Sequence, residues 1–381
     1  MTTSFSFLSD PRAAALSREW PLLGSLATMA AFLLFGPRWL ADLSHPLWFT
    51  SILAWLFSAI LVSAFAVVRH AEALAVRLGE PLGTLVLTLS VTGIEVMMIA
   101  AVMYPAKGGS SLARDSMFAV VMIVLNGMVG LSLLLGGLRY HEQTYNLKGA
   151  NAFLAVIIPL AVLGLILPSF TSSTPGPTLS PFQAGFLVVM SIGLYGVFLA
   201  IQNLRHRDYF LVPESGDGGH DPFQLGHEGT PRAVVYHTVL LLAYLSPLLV
   251  LAKQMAVPIN YAIQEWHAPS ALGGFLIAVL ILAPESLGAA RAALANQLQR
   301  SVNVLLGSVL ATISLTIPAV LCIGFVTGTS IILGLGSVDT IMLTLTLGLS
   351  TITFGSPRTN VLLGAVHLLL FLAYVMLIFE K

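Results

Sequence analysis

Long apolar segments recur along the whole chain, and they constrain its fold more than any other feature. A helix that crosses a bilayer needs roughly 20 mostly apolar residues. Eleven segments of about that length lie near residues 20–42, 47–68, 81–103, 116–137, 151–168, 181–203, 233–257, 269–290, 301–322, 327–354 and 360–379. Because 57% of the residues are hydrophobic and only 9% are charged, far from the makeup of soluble domains, we predict an all-α polytopic membrane protein with these eleven transmembrane helices.

The tenth apolar segment is less regular than the others. Gly334 and Gly336 interrupt it, and glycines inside an apolar pattern often mark a break. A short apolar entry followed by a helix from about Ser337 is therefore the alternative to one long helix.

The distribution of Lys and Arg predicts the orientation of the chain in the membrane. Short cytoplasmic loops are enriched in these residues. With eleven helices and a cytoplasmic N-terminus, twelve of the 17 Lys and Arg residues fall in cytoplasmic segments and five outside. The count predicts a cytoplasmic N-terminus and a C-terminus on the outer side.

The net charge and the cysteine count limit the partners and the metal sites that this chain can have. The formal net charge is zero, so no basic surface points to nucleic acid, and we expect membrane lipid and transported ions as partners and no cofactor. The chain has one cysteine, Cys322, which excludes disulfides within the chain and multi-cysteine metal sites.

The one long polar stretch, 204–232, is interpreted as a cytoplasmic linker, with a weak cation-sensing patch of His and acidic residues as the alternative.

Two glutamates lie in the middle of apolar segments, Glu95 in the third and Glu285 in the eighth. Ionisable side chains inside a membrane are costly and usually functional. Each glutamate follows a Leu-Gly pair by the same interval; the pairs begin at Leu82 and Leu272. For one glutamate alone, a position at a helix end near the interface is the alternative. The matched positions favour a shared role.

The two glutamates are five helices apart, and an odd number of helices per repeat places two copies in opposite membrane orientations. We therefore predict two inverted five-helix repeats, helices 2–6 and 7–11, preceded by an additional helix. The predicted divisions are 1–46 for the leading segment, 47–203 for the first repeat, 204–232 for the linker and 233–381 for the second repeat.

Carboxylates at matched positions of inverted halves can meet near the midplane of the membrane, where many transporter sites form. Hard cations such as Ca²⁺ bind several oxygens, including those of Asp or Glu. Burial and a neighbouring like charge favour the protonated carboxyl when no cation is bound, and a bound cation favours the ionised form. Glu95 and Glu285 are thus candidates for one site that binds both cations and protons.

Polar residues near the two glutamates are candidate supporting groups. Hydroxyls one and two turns before Glu95 share its helix face, the proline before Glu285 leaves a backbone carbonyl free, and further polar groups lie on the helices that follow. The alternatives are hydrogen bonds to the backbone, packing between helices and a plain kink at the proline. The candidates are Thr88, Thr92, Pro284, Asn126, Asn303, Ser308 and Thr312.

Four sequence blocks in the same order carry a resemblance to a known family. They are Gly-Glu-Pro-Leu-Gly-Thr-Leu from residue 79 with Val-Thr-Gly-Ile-Glu ending at 95, Gly-Gly-Leu-Arg-Tyr-His-Glu-Gln-Thr-Tyr-Asn at 136–146, Ala-Pro-Glu-Ser-Leu-Gly at 283–288 with Asn-Val-Leu-Leu-Gly-Ser-Val-Leu-Ala-Thr at 303–312, and Arg-Thr-Asn-Val-Leu-Leu-Gly at 358–364 with His367. Over about residues 70–380 the chain resembles the calcium/proton exchanger branch of the cation/calcium exchanger superfamily, most closely the bacterial calcium/proton (sodium, potassium/proton) antiporters.

The resemblance implies a secondary transporter of the inner membrane that exchanges Ca²⁺ for H⁺ by alternating access, with Glu95 and Glu285 as the ion-binding residues. Many superfamily members have Gly-Asn before the glutamate, whereas this chain has Val91-Thr92 and Ile281-Leu282 at those positions. Exchange of Na⁺ or K⁺ for H⁺ at the same site is therefore the alternative.

Two other classes of function agree less well with the sequence. An intramembrane enzyme would be expected to carry a recognisable motif such as His-Glu-x-x-His, and the sequence contains none. A passive channel would need selectivity rings from several subunits, whereas the repeat lies within one chain. We predict a transporter and not an enzyme.

Overall fold

The computed structural model describes residues 19–79, 82–103, 111–211 and 231–380. These parts of the chain form eleven consecutive helical segments, as the hydropathy pattern predicts. They are α1 (Trp20–Trp39), α2 (Pro46–Leu78), α3 (Leu82–Met103), α4 (Leu112–Tyr140), α5 (Leu147–Ser169), α6 (Pro181–Arg205), α7 (Pro231–Glu265), α8 (Ala271–Leu294), α9 (Leu298–Thr327), α10 (Ser337–Thr353) and α11 (Val361–Phe379). The predicted all-α membrane fold is confirmed.

Nine of the described helices are long and apolar enough to cross a membrane. The other two, the apolar part of α3 (Leu85–Ala100) and α10 (Ser337–Thr353), are shorter. α2 and α7 continue ten and eight residues beyond the predicted ends at 68 and 257. The two helices pack antiparallel, so each polar end lies against the start of the other helix, with His70 beside His237 and Tyr261 beside Phe49. Most of the predicted linker, 212–230, lies outside the described residues.

The tenth helix begins at Ser337, as the alternative interpretation of that segment predicts. Before it, the irregular segment 329–336 packs into the protein, with Leu335 buried. Its backbone groups are paired: Arg114 donates to the carbonyl of Gly334 (3.2 Å), and Ser169 donates to the carbonyl of Leu335 (2.7 Å). Irregular backbone at membrane depth is tolerated only when it is buried in protein and satisfied in this way.

Both helices that follow a glutamate helix contain a π-helical segment. In α4 it covers Ile123–Met128, and in α9 it covers Thr312–Thr316. Two more, Val162–Ile166 and Ile201–Arg205, lie in α5 and α6. π-helical turns insert an extra residue per turn and are frequent at functional sites. They change the direction in which the polar side chains of α4 and α9 point.

Small residues let α4 and α11 approach with their backbones in contact. A Cβ atom added at Gly364 would lie 2.6 Å from the amide nitrogen of Leu134 and 2.8 Å from the carbonyl oxygen of Gly130. A short antiparallel pair, β1 (Gln143–Thr144) with β2 (Arg358–Thr359), joins the ends of the same two helices. Close packing through small residues is the usual way in which membrane helices associate.

Gly364→Ala is expected to lower the stability of the folded protein by about 1–3 kcal/mol, because the added methyl group overpacks a backbone contact that cannot move aside. Gly348 on α10 is a matched control, since a Cβ atom there meets nothing within 4 Å. Thermal unfolding of the purified variants in detergent measures the difference. Equal melting temperatures for Gly364→Ala and Gly348→Ala would show that the α4–α11 contact can relax.

A second close approach fixes the glutamate helix α8 against α4. A Cβ atom at Gly274 would lie 2.6 Å from backbone atoms of Asp115 and Ser116. This contact is about three helical turns from Glu285 along α8. The helix α8, which carries Glu285, is therefore held directly against the α4 backbone near the N-terminal end of α8.

Candidate functional site

Glu95 is buried where α3 packs against α9. Its side chain is 3% exposed. One carboxylate oxygen, Oε2, accepts hydrogen bonds from the hydroxyls of Thr312 and Thr316 on α9, each at 2.9 Å. Thr312 and Thr316 begin and end the π-helical segment of α9. A residue of the first predicted repeat is thus bound by two hydroxyls of the second.

Glu285 lies on α8, which continues as a helix through Pro284. Its side chain is partly exposed, but its Oε2 atom is buried. The Ser308 hydroxyl of α9 hydrogen-bonds to its carboxyl group. Because Pro284 has no backbone N–H, it also leaves a carbonyl one turn earlier without its usual helical partner.

A line of three hydroxyls on α9 serves both glutamates. Ser308, Thr312 and Thr316 follow one another at intervals of four residues, so they lie on one helix face. The first contacts Glu285 and the other two contact Glu95. Glu285 also lies close enough to Glu95 for its charge to act on that carboxyl group. α9 therefore joins the two glutamates into one site.

Several buried oxygens at this site have no hydrogen-bond partner among the described residues. They are Oε1 of Glu95, Oε2 of Glu285 and the hydroxyl of Thr92. A buried polar atom without a partner is costly, and such atoms are rare in folded proteins unless a ligand or a proton satisfies them. Carboxylate and hydroxyl oxygens are suitable ligands for hard cations, so the residues present fit a cation that alternates with protons.

Within the described residues, no cluster of three or more His, Cys, Asp or Glu side chains forms a metal site. A cation at this site would therefore be held by two carboxylates and neutral oxygens. The linker at 204–232, for which a cation-sensing patch is the alternative interpretation, lies mostly outside the described residues.

The structure places three of the predicted supporting residues elsewhere. The hydroxyl of Thr88 hydrogen-bonds to Tyr195 on α6. Asn303 accepts from Gln299 (2.8 Å) and donates to the carbonyl of Phe210 (2.6 Å), so it anchors the chain after α6.

Asn126 is the third of these residues, and it bonds to α10 and α11. Its Nδ2 donates to Thr346 at 2.7 Å, and its Oδ1 faces His367 at 3.2 Å. Both ends of the amide are thus bonded to side chains outside the glutamate site.

Two residues at the site were not among the sequence candidates. Thr316 could have been found from its four-residue spacing to Thr312. Glu72 on α2 interacts electrostatically with Glu285 and with Arg300. The sequence placed Glu72 in a loop, because the predicted helix ended at residue 68. With the helix continuing to Leu78, Glu72 lies on the predicted cytoplasmic approach to Glu285.

Thr316→Val is expected to weaken the apparent cation affinity about tenfold, because the ionised Glu95 loses one of its two donors, and a hydrogen bond to a charged group contributes about 1.5–3 kcal/mol. Thr316→Ser keeps the hydroxyl and serves as the matched control. The measurement is the cation concentration that gives half-maximal proton movement in reconstituted vesicles. Unchanged affinity in a folded Thr316→Val protein would mean that Thr316 only packs between helices.

The chain is similar to antiporters in several organisms. It is 43% identical over 322 residues to the sodium-potassium/proton antiporter ChaA of Escherichia coli, a match that covers 84% of this chain and 86% of the relative. It is 24% identical over 270 residues to a Ca²⁺/H⁺ antiporter of Aphanothece halophytica, covering 68% of this chain and 70% of the relative.

Solved structures show the same fold at low sequence identity. The structure of native YfkE superposes with a TM-score of 0.71 at 16% identity, covering 94% of this chain and 100% of that chain. The H⁺/Ca²⁺ exchanger CAX superposes with a TM-score of 0.65 at 14% identity, covering 94% of this chain and 88% of that chain.

A family model also matches most of the chain. The model of the sodium/calcium exchanger protein family matches residues 48–204 and 237–380, which include both glutamates, the hydroxyl line of α9 and ten of the eleven helices. Only α1 and the segment around the predicted linker lie outside the match. The chain therefore belongs to the sodium/calcium exchanger protein family.

Proposed function

We propose that this protein is a cation/proton antiporter in which Glu95 and Glu285 form one site. The site binds a cation or protons, and full occupancy by one excludes full occupancy by the other. The observation that carries the proposal is that the hydroxyl line of α9 contacts both carboxyl groups, and that each carboxyl group has a buried oxygen with no partner in the described part of the chain. Such a site has ligands for a cation and two groups that can carry protons.

Exchange follows from the electrostatics of this site. Two ionised carboxylates at this site carry about two negative charges, and each uncompensated charge that is buried costs at least several kcal/mol. One Ca²⁺, two protons, or one monovalent cation with one proton would neutralise the pair. The empty ionised site should not change sides of the membrane, which prevents uncoupled leak.

We propose Ca²⁺ as the exchanged cation, since two carboxylates balance its charge and the site offers several further oxygens. Na⁺ or K⁺ is the second candidate. One observation favours it specifically: the relative that is 43% identical is a sodium-potassium/proton antiporter. The site's chemistry, two carboxylates with hydroxyls, accommodates both possibilities.

We propose the bacterial inner membrane as the location, with the N-terminus cytoplasmic and the C-terminus outside, as the Lys and Arg distribution predicts. On this orientation Glu72 and Arg300 lie near the cytoplasmic face. A carboxylate at the mouth of a site raises the local concentration of cations. Glu72 would then assist entry from the cytoplasm.

The test is proton movement in vesicles that contain the purified full-length protein and a trapped pH-sensitive dye. Ca²⁺, Na⁺ and K⁺ are added separately to vesicles with an imposed proton gradient. A cation that is exchanged dissipates the gradient faster than in protein-free vesicles. If none of the three does so, the protein is not an antiporter for these ions.

A further inference from the structure

A second buried polar network lies beside the glutamate site and crosses three helices. It links Asn126 in the π-helical segment of α4, Thr346 and Thr353 on α10, and His367 on α11. All four side chains are fully buried. Polar and ionisable side chains inside a membrane protein usually have a functional reason, and the proposed exchange does not use these four.

The hydrogen bonds determine how the Asn126 amide is oriented. Its Nδ2 donates to Thr346 at 2.7 Å, so its Oδ1 is the atom that faces Nδ1 of His367 at 3.2 Å. Because an amide oxygen only accepts, Nδ1 of His367 must carry the hydrogen. The other ring nitrogen, Nε2, pairs with the Thr353 hydroxyl at 2.9 Å. His367 thus holds the amide oxygen of Asn126.

The position of Asn126 in the repeat makes this arrangement informative. Glu95 and Glu285 are 190 residues apart, and the same interval relates Asn126 to Thr316. Thr316 donates to Glu95. The two positions are also alike in structure, since each belongs to the π-helical segment of the helix that follows a glutamate helix. In the predicted repeat, Asn126 therefore occupies the position related to that of Thr316, which contacts a glutamate.

The two halves differ in chemistry at these related positions. Ser308 and Thr312, which contact the glutamates, correspond at the same interval to Phe118 and Met122. Of these three positions in the first half, Asn126 alone has a side-chain oxygen. The π-helical segment that carries it packs against α8, the helix of Glu285, and against α9. Its amide oxygen, however, is bonded to His367.

We propose that His367 is a specificity-determining residue, which binds the amide oxygen of Asn126 and so withholds it from the cation. This inference rests on the proposed function. With Asn126 withheld, the cation is coordinated by carboxylates and hydroxyls. The attraction between an ion and an oxygen dipole is proportional to the charge of the ion. An amide oxygen released to the site therefore strengthens binding of Ca²⁺ more than binding of Na⁺ or K⁺.

The principal variant is His367→Leu, which keeps the Cβ atom that packs against Gly130 but removes both ring nitrogens. We expect the ratio of apparent affinities, Ca²⁺ over Na⁺ or K⁺, to rise about fivefold, the effect of one net hydrogen bond's worth of free energy. His367→Gln is the matched control, because its amide can still donate to Asn126 and accept from Thr353, and it should keep the wild-type ratio.

Two further variants separate this role from simple packing. Thr346→Val is nearly isosteric but removes the hydroxyl that accepts from Nδ2 of Asn126. It should raise the ratio of apparent affinities by a smaller factor than His367→Leu does. The double variant His367→Leu with Asn126→Ala lacks the oxygen and should return to the wild-type ratio. All ratios come from the dye assay in vesicles, with the amount of folded protein determined by size-exclusion chromatography.

Each outcome is decisive. A raised ratio in His367→Leu that disappears in the double variant supports the assignment. If the wild type exchanges cations but neither His367→Leu nor Thr346→Val changes the ratio, or if the shift persists without the Asn126 amide, His367 does not set specificity and the network only packs the helices. If His367→Leu does not fold, Thr346→Val decides alone. A wild type that moves no protons with any cation refutes the proposed function itself.

Discussion

Glu95→Gln and Glu285→Gln are each expected to abolish cation-driven proton movement, leaving a rate indistinguishable from that of protein-free vesicles. Glutamine has nearly the same shape as glutamate but carries neither a charge nor a titratable proton. Each substitution therefore removes a cation ligand and a proton carrier at once. In Glu95→Gln the hydroxyls of Thr312 and Thr316 can still donate to the amide oxygen, so the local packing should survive.

The loss should be complete because the remaining carboxylate cannot substitute for the pair. A single carboxylate leaves one positive charge of Ca²⁺ uncompensated, and an uncompensated buried charge costs several kcal/mol. For Na⁺ or K⁺, the substitution removes the charged oxygens of one of the two ligands.

Glu265→Gln is the matched control for this prediction, since Glu265 is an exposed residue at the C-terminal end of α7. It should retain wild-type exchange. All three variants should elute as folded protein at the same volume. Retained proton-coupled cation flux in either Glu95→Gln or Glu285→Gln would place the chemistry elsewhere in the protein.

The pH dependence of cation binding is expected to reveal how many protons each cation displaces. As the pH falls, protons occupy the carboxyl groups and compete with the cation, so the apparent affinity falls with them. Where the site is mostly protonated, Ca²⁺ must displace two protons and its apparent dissociation constant should rise about a hundredfold per pH unit. A monovalent cation that displaces one proton gives about tenfold per unit.

The measurement is a set of cation titrations in vesicles at several pH values, with equal pH on both sides to remove the gradient as a variable. The slope is the fall in the logarithm of the apparent dissociation constant per unit rise in pH. A slope near two for Ca²⁺ together with a slope near one for Na⁺ or K⁺ would indicate neutralisation of the same carboxylate pair. An apparent affinity that does not change with pH would contradict a shared site and point to separate paths for protons and cations. The Thr316→Val variant should shift the titrations without changing their slopes.

The sequence by itself determined the number of helices and the two central residues. Hydropathy over about 20 residues is a local property of the chain, so the eleven helices follow from the segments that contain them, and even the irregular start of α10 is visible in Gly334 and Gly336. Glu95 and Glu285 stand out for the same reason, since a carboxylate in an apolar segment is unusual wherever it occurs. The inverted relation of the two halves stays a prediction.

Only the tertiary structure decided which polar groups surround these glutamates. Thr312 lies 217 residues from Glu95 and Thr316 lies 221 residues from it, and nothing local to either segment states that they meet. Thr88 and Asn303 looked equally suitable in the sequence, yet their hydrogen bonds go to Tyr195 and Phe210.

Helix ends and side-chain direction are the remaining differences, and both depend on packing between segments. The polar end of α2 stays helical because it packs on α7, which places Glu72 near Glu285 although its own sequence resembles a loop. The π-helical turn in α4 rotates Asn126 toward His367 on α11. Composition and periodicity specify which residues a helix contains, whereas the hydrogen-bond partner of a buried side chain depends on the helices that surround it.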